Sequence, residues 1–161
     1  MFLSAWRGIN VFAVFLLVSV SSVYADCEGT SGTPGLDSNY TSGWGIDLRN
    51  TRYQEKSSIT SENAAGLQLQ WAYGLSTMSP RSYPLITEDT VFIGDGGRGV
   101  VALDRNSGCE RWVFAHEGPI SSAILPAEIS GQRALIFNDR IAGVFAIDAL
   151  DGSLIWRAIV D

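Results

Sequence analysis

The chain has 161 residues, enough for one ordinary domain with a sizeable core. After residue 25 it carries 10 Lys or Arg against 17 Asp or Glu, a formal charge of −7, and the basic residues are scattered. Binding to phosphate backbones needs clustered cations, so no nucleic-acid partner is expected. A single histidine, His116, and two distant cysteines, Cys27 and Cys109, exclude a haem-attachment motif and a histidine–cysteine metal cluster.

Met1 to Asn10 contains Arg7 and no acid, Val11 to Val20 is almost wholly apolar, and Val23-Tyr24-Ala25 places small residues before Asp26. This is the anatomy of a secretory signal peptide over residues 1–25, cut between Ala25 and Asp26. The apolar run is too short to span a bilayer, and no later stretch could, so the cleaved product is not membrane-spanning. Asp26 stands where a lipoprotein needs a small residue before its cysteine, so Cys27 is not lipidated. An oxidising compartment permits Cys27 and Cys109 to pair with each other or with cysteines elsewhere. Residues 26–66 are rich in Ser, Thr, Gly and Asn and are expected to be irregular, apart from a helical turn near Ser61 to Ala65.

From Leu67 onward the chain repeats itself. Gly99 to Trp112 (GVVALDRNSGCERW) and Gly143 to Trp156 (GVFAIDALDGSLIW) align under an offset of 44 residues. Asp104 falls on Asp148, Gly108 on Gly152, and Trp112 on Trp156, with Ile93-Gly94-Asp95 upstream falling on Phe137-Asn138-Asp139. Each unit holds three β-rich runs: Thr90 to Gly94, Val100 to Leu103 and Arg111 to Ala115, then Arg133 to Asn138, Val144 to Ile147 and Leu154 to Ile159. Aspartate opens and glycine closes the turn after each middle run, as backbone capping and positive φ require. A further apolar stretch precedes each triplet, at Ser82 to Thr87 and Pro119 to Leu125. Four antiparallel strands per unit of roughly 40 to 45 residues describe the blade of a propeller.

The fold class is therefore all-β: a partial β-propeller of about two four-stranded blades, with an extra N-terminal strand. Blade one is expected at about 81–116 and blade two at about 118–160, within an incomplete propeller over 67–161. The alternation in Leu67 to Tyr73 (LQLQWAY) suits an edge strand, with Trp71 standing for the tryptophan of a preceding blade. Trp112 and Trp156 keep a fixed phase in the repeat, which assigns them to docking blade against blade. With only two blades, Val101, Leu103, Phe145 and Ile147 are expected to be partly exposed on open faces.

Gly43 to Gln54 (GWGIDLRNTRYQ) and Ile59 to Tyr73 (ITSENAAGLQLQWAY) resemble the opening of the pyrroloquinoline-quinone (PQQ) dehydrogenases, and the repeats resemble their blades. RSYPLI (Arg81 to Ile86), SGCERWVF (Ser107 to Phe114) and LIFNDR (Leu135 to Arg140) are similar to the polyvinyl-alcohol dehydrogenase branch. The resemblance implies the N-terminal part of a periplasmic quinoprotein that oxidises a small or polymeric alcohol. It also implies PQQ and Ca²⁺ as cofactors of the complete protein, a carboxylate base, and cytochrome c as electron acceptor. Complete members have about seven or eight blades. No position here matches the family's catalytic aspartate or calcium ligands, and the adjacent cysteine pair of several branches is absent. Two other readings remain open: a non-catalytic scaffold built from the same repeats, and a truncated reading frame without independent activity.

In a four-stranded blade, the loop entering the innermost strand and the loop between strands two and three open on the same face. That face holds Arg81, Asp95, Arg98, Glu117, Asp139 and Arg140. The candidate cofactor-binding residues are Arg81, Asp95, Arg98, Asp139 and Arg140. Arg81 leads, because a guanidinium there could meet a quinone carboxylate bidentately. Asp104 and Asp148 are read as turn caps rather than metal ligands, and His116 as a surface residue. Two blades leave open apolar faces, so self-association is also expected.

Overall fold

The structure is a computed structural model that describes Leu36, Gly45 and residues 49–55, 57–76 and 80–160. The expected signal peptide and Cys27 lie outside the described residues. Cys109 is disulfide-bonded, and its partner also lies outside them.

Two four-stranded antiparallel sheets follow one another along the chain. The first comprises β1 (Leu85–Ile86), β2 (Thr90–Asp95), β3 (Gly99–Asp104) and β4 (Glu110–Ala115); the second comprises β5 (Leu125–Ile129), β6 (Gln132–Asn138), β7 (Gly143–Asp148) and β8 (Leu154–Ile159). In each the spatial order is the chain order. This up-and-down meander is the partial propeller that the repeat implies. The segments leading into the innermost strands meet in a parallel bridge between Tyr83 and Ala123, as blades meeting near a common axis must.

The repeat is reproduced down to its irregularities. A register shift falls between Ala102 and Leu103 against β4, and again between Ala146 and Ile147 against β8, one repeat later. Each bulge leaves one residue unpaired beside the tryptophan, Arg111 in one blade and Ile155 in the other. An extra residue bends the strand and re-aims its neighbours, here the indole rings. Beyond each bulge the aspartate caps its turn. Asp104 Oδ1 accepts the Asn106 and Ser107 N–H groups at 3.0 and 2.8 Å, and Asp148 Oδ1 accepts that of Leu150 at 2.6 Å. Gly108 and Gly152 close these turns at φ of 73° and 74°, where a Cβ is disfavoured.

The core lies between the sheets. Leu85, Phe92, Val100 and Ala102 of the first blade pack against Leu135, Phe137, Phe145 and Ile147 of the second, with Trp112 and Phe114 against the cluster. Phe114 meets Phe137 and Phe145 edge-on at 5.8 and 6.0 Å. Aromatic edges on faces add specific attraction to the burial of the rings.

Three expectations need correction. The inner strand expected at Pro119 to Leu125 begins at Leu125. Ile120, Ala123 and Ile124 are buried instead in the crossing between blades, where Gly94 leaves room for Ile120. Val101, Leu103, Phe145 and Ile147 are 0–3 % exposed, not partly open. Phe145 and Ile147 face the first blade, while Val101 and Leu103 alternate to the sheet face on which residues 71–76 make their contacts. Finally, Leu67 to Tyr73 joins no sheet among the described residues. It lacks a partner strand, yet Trp71 holds the station of a blade tryptophan: a Cβ on Gly108 would lie 2.5 Å from its ring. Nearby, a 3-10 turn at Ala64–Gly66 occupies the expected helical position. No helix among the described residues is long and apolar enough to cross a membrane.

Candidate functional site at the blade junction and loop face

Asp95 ends β2 and Asp139 directly follows β6, one repeat apart, and both are buried. Each is held by its own turn and by a residue from the chain before its blade, Ser76 for Asp95 and His116 for Asp139. Asp139 Oδ1 accepts the Ile141 and Gly143 N–H groups at 2.9 and 2.7 Å, and its Oδ2 lies 2.9 Å from His116 Nε2. Asp95 accepts the Gly97 N–H at 3.2 Å, the Ser76 N–H at 3.0 Å and the Ser76 hydroxyl. Burial opposes ionisation of both. The N–H and hydroxyl donors around Asp95, and the N–H donors and His116 around Asp139, outweigh it and hold each carboxyl below the ordinary range.

Arg98 forms a two-pronged ion pair with Glu110, with one prong at 2.8 Å, and also donates to the Tyr73 hydroxyl. Tyr73 in turn donates to Glu110 at 2.7 Å. Arg98 first, then Tyr73, keep Glu110 below its usual pKa against the effect of burial. Burial, followed by Glu110, pushes the Tyr73 phenol up. This network ties the N-terminal segment to blade one.

His116 is not a surface residue. Its side chain is 15 % exposed, its ring lies 4.7 Å from that of Phe145, and it bridges the blades through Asp139. Sequence reasoning missed this pairing, although the repeat contained the clue. Ser76 follows Trp71 by five residues and binds Asp95, while His116 follows Trp112 by four and binds Asp139. A cleft of about 640 Å³ opens beside His116, lined by Arg98, Val113, Ala115, Glu117, Gly118 and Ile141 among others.

The five candidate cofactor residues thus fall into two groups. Asp95, Arg98 and Asp139 are engaged within the fold. Arg81 and Arg140 are exposed, and the Arg140 backbone N–H donates to the Pro119 carbonyl at 3.2 Å. Among the described residues no three His, Cys, Asp or Glu side chains converge on a point a metal ion could occupy. Asp104, already capping its turn, also accepts from Arg111 at 2.7 Å. The described residues therefore do not fit a Ca²⁺ site.

A family model described as "Outer membrane protein assembly factor BamB", of PQQ-like repeats, matches residues 55–160. The chain belongs to this PQQ-repeat propeller family. Polyvinylalcohol dehydrogenase of Sphingopyxis sp. (strain 113P3) is 29% identical over 127 residues, covering 76% of this chain and 19% of the relative. 1-Butanol dehydrogenase (cytochrome c) of Thauera butanivorans is 28% identical over 121 residues, 70% of this chain and 18% of the relative. Among solved structures, quinohemoprotein alcohol dehydrogenase from Comamonas testosteroni superposes with a TM-score of 0.63 at 20% identity, over 75% of this chain and 19% of that one. The last likeness concerns the fold. This member of the family spans about a fifth of the length of the alcohol dehydrogenases it matches.

Proposed function

We propose that the chain is the N-terminal, two-blade portion of a periplasmic quinoprotein alcohol dehydrogenase, and that alone it does not turn over alcohol. The complete protein would use PQQ and Ca²⁺ to oxidise a small or polymeric alcohol and pass electrons to cytochrome c. On this reading residues 1–25 are an export signal, 26–66 an irregular lead, and 67–161 the incomplete propeller with blades at about 81–116 and 118–160. The observation that carries the proposal is the 29% identity with a polyvinylalcohol dehydrogenase over three quarters of the chain.

Within that frame the five candidate residues divide the work of the loop face. Arg81 and Arg140 offer exposed guanidinium groups that suit the carboxylates of a quinone. Asp95 and Asp139, with Arg98, hold the loops that present them. Two blades supply one wall of a site, whereas a cofactor needs enclosure on most sides. The Ca²⁺ ligands and the catalytic base belong to the rest of the propeller. With completing blades absent, the open apolar face drives self-association.

The test has two arms. Purified chain with added PQQ and Ca²⁺ should show no dye-linked oxidation of polyvinyl alcohol or 1-butanol. A chimera of the Sphingopyxis enzyme carrying residues 55–160 of this chain in the matching place should keep its activity. Turnover by the isolated chain would refute inactivity. A folded but inert chimera would refute dehydrogenase descent. That result would favour a non-catalytic scaffold, the reading supported by the family's description as an assembly factor.

A further inference from the structure

The cleft of about 640 Å³ beside His116 opens on the loop face at the outer rim of the blades. The β2–β3 turn, the end of β4, residues 116–118 and the β6–β7 turn line it, and none of residues 81–86 or 119–125 at the inner strands does. The repeat does not account for this lining. Under the offset of 44, Ile141 falls on Gly97, while His116 and Glu117 fall on Val160 and Asp161. Ile141 is 66% exposed, so it does not serve the core either.

The polar groups of the cleft state what it can hold. The Arg98 guanidinium is matched by Glu110. His116 Nε2 lies 2.9 Å from Asp139 Oδ2, and an ionised carboxylate only accepts, so Nε2 carries the hydrogen and Nδ1 of the neutral ring keeps its lone pair. His116 lines the cleft with its side chain 15% exposed, which leaves that lone pair open to a ligand. Glu117 is exposed and its carboxylate has no ion pair among the described residues. Both polar side chains with capacity left are thus acceptors, and Val113, Ala115 and Ile141 form an apolar wall beside them. A carboxylate or phosphate finds no unmatched cation there. A sugar ring packs its C–H face on an aromatic side chain, and no Phe, Tyr or Trp among the described residues lines the cleft. A hydrocarbon chain bearing hydroxyl groups at intervals satisfies both the acceptors and the wall.

We propose that this cleft binds a segment of a polymeric alcohol, whose hydroxyls donate to His116 Nδ1 and Glu117 while its CH₂ groups lie against Val113 and Ile141. A cleft of this volume suits a ligand of many atoms. A monohydric alcohol would satisfy one acceptor and leave most of the space unfilled, so the cleft selects the polymer over 1-butanol. The inference rests on the alcohol substrate of the proposed function and narrows it to a hydroxylated polymer. Binding is read without cofactor or turnover. An inert chimera would therefore leave it standing, and a failure to bind would leave dehydrogenase descent standing.

His116 is the sole histidine, so its modification by diethyl pyrocarbonate, read by mass spectrometry, reports on the cleft directly. In the purified chain His116 should react, and vinyl-alcohol oligomers should protect it saturably. 1-Butanol at equal hydroxyl concentration, maltose and polyacrylate should not. Glu117→Ala and Ile141→Gly alter exposed side chains, and the second installs the residue that blade one has at that place. Each should raise the oligomer concentration for half-protection by about threefold to tenfold, with the circular-dichroism melt unchanged. An unreactive His116 would overturn the proposal, as would oligomers that give no protection. So would equal protection by 1-butanol, maltose or polyacrylate, or a half-protection concentration that either variant leaves unmoved.

Discussion

Substituting Gly152 by alanine separates two costs that the structure combines at one position. Gly152 sits at φ 74°, and its new Cβ would lie 2.6 Å from a carbon of the Trp112 ring. Gly131 supplies the control, since it sits at φ 81° with nothing within 4 Å of its would-be Cβ. The left-handed conformation alone costs an alanine roughly 1–2 kcal/mol. Pushing an extra carbon into a packed contact adds about 1–3 kcal/mol, because a ring wedged between blades has little room to yield. Gly131→Ala should therefore lose roughly 1–2 kcal/mol and Gly152→Ala roughly 2–5 kcal/mol. For a folded unit of this size each kcal/mol lowers the melting temperature by about 4–8 °C. Thermal melts followed by circular dichroism give the comparison, and Gly152→Ala should also shift tryptophan emission. Equal losses for the two variants would refute the indole–glycine contact as a component of blade docking.

Asp104 is held at about 2 against an ordinary 3.8, chiefly by the Ser107 N–H bond and then, against burial, by Arg111 and Ser107. The unfolded chain therefore takes up that proton more readily, so this stability is complete above the ordinary value and is lost as pH falls through about 2. Asp95, Glu110 and Asp139 are shifted in the same direction, so acid unfolding should be steep; Asp104→Asn should flatten the pH dependence of the melting temperature in that window. Phe114→Ala, which removes the ring touching Phe137 and Phe145, should cost about 3 kcal/mol in urea unfolding. The purified chain with PQQ and Ca²⁺ should give dye-linked rates no higher than its heat-denatured control.

The parts of the fold legible in the sequence were those that repeat. Six of the eight strands follow apolar runs bounded by Asp, Gly and Ser, and Trp112 and Trp156 keep their phase, pairing beside the same bulge with Ala102 and Ala146. The inner strands were harder to read. β5 reads Leu-Pro-Ala-Glu-Ile, and a proline ordinarily argues against a strand. It is tolerated there because β5 is the edge of its sheet and pairs only with β6. The apolar residues just before it, Ile120 to Ile124, serve the crossing between blades. Their composition looks strand-like because both roles require burial. How the loop-face residues divide between buried and exposed was not visible. Asp95 and Asp139 are buried through partners that lie far away in sequence, and only their spacing after Trp71 and Trp112 marks Ser76 and His116 as those partners.

Amide hydrogen exchange on a chain of residues 26–161 tests most directly whether the two repeats form docked blades. Central amides of β3 and β7 should share one slow, cooperative opening, since the core between the sheets must part before either strand is released. Phe114→Ala should speed exchange in both sheets together. Independent opening of 85–115 and 125–159, with Phe114→Ala felt in only one of them, would contradict the account.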